Sequence, residues 1–140
     1  MGADRGCGRD DDVVTSAAWA LKMRDDDQGM ALAGTSGAAR LDGLRKPGHV
    51  VVKTRDSAFS GTDLLAWLFD RDVDRLVLAG VSTESCIAAT AVDAYARDLR
   101  VVLVEDATAS IERQLHHQTL ERQHEQYRQE VRSEAEISFD

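Results

Sequence analysis

Apolar residues fall in short runs along this chain, and the runs become clearer from residue 48 onward. The stretch His49-Val50-Val51-Val52-Lys53 is β-branched, apolar and bounded by Pro47-Gly48, which predicts a buried strand closed by Lys53. A turn-rich segment follows over 56–62. There Thr62 is placed to cap a helix whose apolar face is Leu64, Leu65 and Leu68. Residues 75–80 read as a second buried strand. Ser82 or Thr83 then caps a helix running to about Leu99, with Ile87, Ala91, Ala94 and Tyr95 on its packing face. Residues 101–104 predict a third strand, residues from about 112 to 130 a polar helix, and residues 135–139 a last short strand.

The first third of the chain is patterned less clearly. Residues 1–12 are rich in Gly and Asp and read as loosely attached or disordered. Residues 13–23 fit a short strand, a short helix, or one running into the other, and 25–29 and 34–37 read as loops. Strands alternating with helices imply an α/β fold, with βαβ crossovers and a mostly parallel sheet flanked by helices in three layers. Ligands of such sheets bind beyond the carboxyl ends of the strands. That rule directs attention to Lys53, to residues 81–86 and to Glu105-Asp106.

Composition narrows the function. A chain of 140 residues with 43% apolar side chains can bury one core, and with 5% aromatics that core must be built from Val, Leu, Ile and Ala. A formal charge of −8 argues against nucleic acid and against an anionic membrane surface as partners. No segment approaches the roughly 20 apolar residues of a membrane helix, and the opening residues lack an apolar signal core. The two cysteines, Cys7 and Cys86, do not suggest a disulfide framework, so a cytoplasmic protein with reduced thiols is expected.

Two residues stand out for chemistry. Cys86 follows a buried strand and falls in the first turn of a helix, where unpaired amides and the helix dipole stabilise a negative charge on sulfur. A thiolate there is a nucleophile, although most lone cysteines are small buried hydrophobes. Lys53 closes a neighbouring strand. Its bland reading is a snorkelling surface residue, and its functional reading is a charge that holds the thiolate or an adjacent carboxylate.

The pattern around these residues resembles the isochorismatase-like cysteine hydrolases. It comprises Lys53, Ser57-Ala58-Phe59, Gly61-Thr62, Gly80-Val81, Thr83, Cys86-Ile87, Thr90, Asp93-Ala94 and Asp106-Ala107. The likeness extends more weakly over 34–47 and 111–138. It divides the chain into a poorly matched segment, 1–33, and a partial hydrolase domain, 34–140, of Rossmann-like α/β type. The resemblance implies Cys86 as nucleophile and Lys53 as its charged partner. It implies an oxyanion hole from the amides of Ser82 and Cys86, a cis peptide between Val81 and Ser82, and a pocket shaped by Ser57 and Phe59. The substrate class it implies is a small amide, a ureide or an isochorismate-type vinyl ether, with no cofactor, and it leaves self-association open.

One family feature has no counterpart. The family's catalytic Asp ends its first strand, whereas Asp10, Asp11 and Asp12 precede an apolar run and Asp25, Asp26 and Asp27 lie in an expected loop. Its loss predicts turnover lower by orders of magnitude and leaves a catalytically inactive relic or interaction module as the alternative. Other candidates are discounted. Cys7 lies in a Gly-rich terminus, His116, His117 and His124 read as a solvated helix face, and Asp106 caps the turn after its strand. No metal site is expected.

Overall fold

The computed structural model describes residues 39, 43 and 48–139, and the chain divides into two compact units, Met1–Thr54 and Arg55–Asp140. The expected boundary between residues 33 and 34, Cys7 and the aspartate clusters at 10–12 and 25–27 lie outside the described residues.

In the first unit the strand expected over 49–53 does not form: residues 50–53 join no sheet. Val50 and Val52 are 66% and 65% exposed, while Val51 and Lys53 are half-buried. A strand buried on both faces needs a ladder at its sides and a layer on each face. This run has the composition for that burial, but its alternate valines face solvent.

The second unit follows the expected alternation. Helix α1 (Leu64–Phe69) leads to strand β1 (Arg75–Val81), a π-helical turn (Thr83–Ile87) continuous with helix α2 (Ala88–Tyr95), and strand β2 (Arg100–Ala109). Helix α3 (Arg113–Tyr127), strand β3 (Glu130–Arg132) and a short 3-10 turn (Glu134–Glu136) complete it. The three strands lie in the order β1-β2-β3 and both pairings are parallel. In β2, Val101, Val102, Leu103 and Val104 are all buried, as expected of a strand covered on both faces. The core joins Leu103 and Val101 to Ala91 and Ala94 of α2, Leu120 of α3, Leu68 of α1, and Phe59 and Leu99. Ala91 and Ala94 have no exposed surface, and their small side chains let α2 seat closely on the sheet.

Several boundaries differ from the expectation, each for a local reason. Strand β2 outruns 101–104 because its register jumps. Leu78 faces Leu103 but Gly80 faces Thr108, so a bulge is taken up in β2 before Thr108 and Ala109 rejoin β1. The Thr108 hydroxyl donates to the Val104 carbonyl at 3.0 Å and closes that bulge. Helix α2 stops at Tyr95 because Asp98 turns left-handed, with φ 59°, and the Leu99 amide donates back to Ala94 at 3.1 Å. Helix α3 ends at Tyr127, where Arg128 takes φ 56°. Buried Gln129 then anchors the exit by donating from Nε2 to the Ala91 carbonyl at 2.8 Å.

The last strand is β3 at Glu130–Arg132, not 135–139. The segment after it turns because Glu136 Oε2 accepts from both the Ser133 amide and its hydroxyl at 2.8 Å, while Asp106 Oδ1 accepts from the Glu134 amide at 2.7 Å. Among the described residues, no helix is long and apolar enough to cross a membrane.

Candidate active site

The carboxyl end of β1 shapes the surroundings of Cys86. Gly80 has φ 123°, a backbone state that side-chain-bearing residues rarely adopt, and so it lets the chain leave the strand sharply. The Val81–Ser82 peptide is cis, as the resemblance implied. Ser82 is extended (φ −91°, ψ 146°), and its carbonyl accepts from the Ser85 and Ile87 amides, both at 3.2 Å. The second bond spans five residues and opens the turn to π geometry, which carries Cys86 in the first turn ahead of α2.

The turn is braced from two sides. Thr83 is 1% exposed, and its hydroxyl lies 2.9 Å from Nδ1 of His116 on α3. This corrects the reading of His116 as part of a solvated face: it is half-buried and supports the cysteine turn. His117 packs edge-to-face on it with ring centroids 5.3 Å apart, and His124 Nδ1 lies 2.9 Å from the Gln129 carbonyl. On the other side, Thr90 Oγ1 of α2 accepts from the Ala58 amide at 3.0 Å and ties down the loop before α1. That loop is compact. The Ser57 hydroxyl accepts from the Phe59 amide at 3.2 Å, and Thr62 donates to the Ala58 carbonyl while accepting from Leu64 at 3.4 Å.

This tethered loop delivers a carboxylate to the sulfur. The Cys86 thiol donates to Asp56 Oδ1 at 3.5 Å, and the Ser85 hydroxyl stands 3.9 Å from the same sulfur. The arrangement sets a thiol and a carboxylate within hydrogen-bond reach, a pairing that can support acyl transfer through sulfur. Asp56 was not among the sequence candidates. The signal was slight: a carboxylate in the turn immediately after the segment of Lys53, 30 residues from the cysteine it meets.

The expected site residues are distributed as follows. Cys86, Ser82 and Ser57 belong to the second unit with Asp56, whereas Lys53 belongs to the first and is half-buried there. Ser57 is buried and lines a cleft between α2 and α3. Phe59 belongs to the hydrophobic core, with the Arg97 guanidinium 5.1 Å from its ring centre. Among the described residues, no group of three or more His, Cys, Asp and Glu side chains is placed to hold a metal ion.

The isochorismatase domain model matches residues 9–136 of this chain. The chain belongs to the isochorismatase family. A protein of Arabidopsis thaliana named a "probable inactive nicotinamidase" is 41% identical over 92 residues, covering 63% of this chain and 47% of that protein. The isochorismatase family protein PncA of Bacillus subtilis is 48% identical over 68 residues, covering 49% of this chain and 37% of its own length. Among solved structures, the N-carbamoylsarcosine amidase of Thermoplasma acidophilum superposes with a TM-score of 0.73 at 28% identity, over 84% of this chain and 67% of that one. This isochorismatase-family chain thus spans half or less of the length of the two sequence relatives.

Proposed function

We propose that this chain hydrolyses the C–N bond of a small amide or ureide through a covalent bond to Cys86. The observation that carries the reading is the thiol of Cys86 donating to Asp56 at the carboxyl end of β1. The thiol passes its proton to the Asp56 carboxylate as sulfur bonds to the substrate carbonyl carbon. The amides of Ser82 and Cys86 receive the negative charge that develops on the carbonyl oxygen. Asp56 then returns the proton to the leaving nitrogen as the C–N bond breaks, which leaves a thioester on Cys86. Water attacks the thioester, giving its proton back through Asp56, and the acid product leaves with the thiol restored. Ser57 belongs to the pocket wall.

The match to the family and the likeness to an N-carbamoylsarcosine amidase support this substrate class. A second reading, a non-catalytic module of the same fold, is favoured by one observation: the chain covers 47% and 37% of the two relatives, the first of which is named as inactive. Intact-mass spectrometry after mixing with a panel of small primary amides and ureides separates the two. The hydrolase reading expects ammonia release and an acyl adduct that disappears in Cys86→Ala. A folded protein with neither adduct nor ammonia across the panel establishes the second reading instead.

A further inference from the structure

Backbone bonds close the turn that carries Cys86 at a single point. The Ser85 and Ile87 amides both donate to the Ser82 carbonyl at 3.2 Å. Two bonds converging on one oxygen set the length of the turn and leave its tilt about that oxygen open. Thr83, the one buried residue of the turn, removes that freedom. Its hydroxyl meets Nδ1 of His116 at 2.9 Å, across 33 positions of chain. His116 lies in the first turn of α3, where its amide donates to the Glu112 carbonyl at 3.0 Å, and Leu120 seats that helix in the core. At 1% exposure Thr83 is shielded from solvent, and Nδ1 is the partner of its hydroxyl among the described residues. A buried hydroxyl hydrogen left without an acceptor costs more than a hydrogen bond contributes on balance. The hydroxyl therefore donates, Nδ1 accepts, and the ring proton sits on Nε2.

We propose that His116 is a positioning residue: by accepting from the buried Thr83 hydroxyl, it fixes the orientation in which the Ser82 and Cys86 amides face a substrate's carbonyl oxygen. Thr83 stands directly after Ser82 and three residues before Cys86, so a change in the tilt of the turn moves both amides together. The inference rests on the reading of Cys86 as nucleophile and of those two amides as the oxyanion site. Asp56 and the Ser85 hydroxyl, rather than this pair, stand at the sulfur. Loss of the pair should therefore impair attack at a carbonyl, which needs the amides, more than attack at a saturated carbon, which does not.

Two reagents applied to the full chain, with the rate at Cys86 read by peptide mass spectrometry, test the pair. With p-nitrophenyl acetate the thiolate bonds to the carbonyl carbon, p-nitrophenolate leaves and an acetyl thioester remains. With iodoacetamide the sulfur displaces iodide from a CH2 group and no oxyanion forms. His116→Leu and Thr83→Val should each slow acetylation about a hundredfold, the scale of a misplacement of about 1 Å, with alkylation within about threefold of wild type. The double variant should be no slower than either single one, because the two groups act as one contact. His116→Asn, whose Oδ1 can accept where Nδ1 does, should recover most of the rate. Acetylation unchanged in both single variants overturns the proposal, as does acetylation that falls in step with alkylation. So does a double variant showing the product of the two losses, or His116→Asn as slow as His116→Leu. If His116→Leu does not fold, Thr83→Val, which keeps the shape of the side chain, decides with the same two reagents. Acetylation that depends on the pair, without turnover of any amide, upholds the positioning and overturns the hydrolase. Amide turnover indifferent to both substitutions does the reverse.

Discussion

Replacing Asp56 by Asn isolates proton transfer from packing. The Asn carbonyl oxygen can still accept from the Cys86 thiol across the 3.5 Å contact, and the side chain keeps its size, so the loop tied by Thr90 to α2 should stay in place. What disappears is a group able to take the proton and return it to the leaving nitrogen. A positioned acid–base group contributes about 10²–10⁴-fold to rate, which at 1.36 kcal/mol per decade corresponds to roughly 3–5 kcal/mol of barrier. Steady-state kinetics on any amide that acylates Cys86 should therefore show kcat lower by about that factor with KM little changed, because the loss is confined to the transition state. The melting temperature, read by circular dichroism, should stay within a few degrees of the wild type. A kcat within about threefold of wild type would refute the assignment and move the proton to another acceptor.

Three further outcomes follow from the packing. Leu103→Ala removes a side chain that is 1% exposed at the centre of the sheet and should cost about 2–5 kcal/mol in urea unfolding. Thr83→Val keeps the shape of the buried side chain but loses the contact with His116, and should cost about 1 kcal/mol. If the brace holds the cysteine turn, the same variant should also slow Cys86 acylation. Glu136 has its carboxyl pKa lowered, first by the Ser133 amide, then by the Ser133 hydroxyl, with Arg132 adding to the effect. A carboxylate depressed in the folded state stabilises above its unfolded pKa, near 4.3, and that contribution fades as pH falls through the folded value. The difference in melting temperature between wild type and Glu136→Gln should thus be present at neutral pH and vanish in acid. A difference that persists unchanged at low pH would contradict it.

Local pattern went far in this chain wherever the deciding interactions are close in sequence. The run at 75–80 became β1, the run at 101–104 became the fully buried centre of β2, and the polar stretch after 112 became α3, because period and composition fix which face is apolar. The position of Cys86 just past a strand, in the first turn before a helix, was legible for the same reason. The early end of α2 was not, since its stop is a left-handed Asp98 where glycine would have been the readable signal. The extension of β2 was hidden too, because a bulge is a property of two strands in register. The valines at 50–52 show the converse. A composition suited to burial does not by itself make a strand, and residues 50–53 join no sheet.

By itself, then, the amino-acid order determined an α/β alternation, a cysteine just past a strand end, and the family pattern around it. Folding decided which carboxylate meets the thiol and that His116 buttresses the cysteine turn. The physical reason is sequence separation. Asp56 and Cys86 stand 30 positions apart, Thr83 and His116 33 apart, and no periodicity along a chain encodes a meeting that only the closing of intervening loops and the packing of helices on a sheet can bring about.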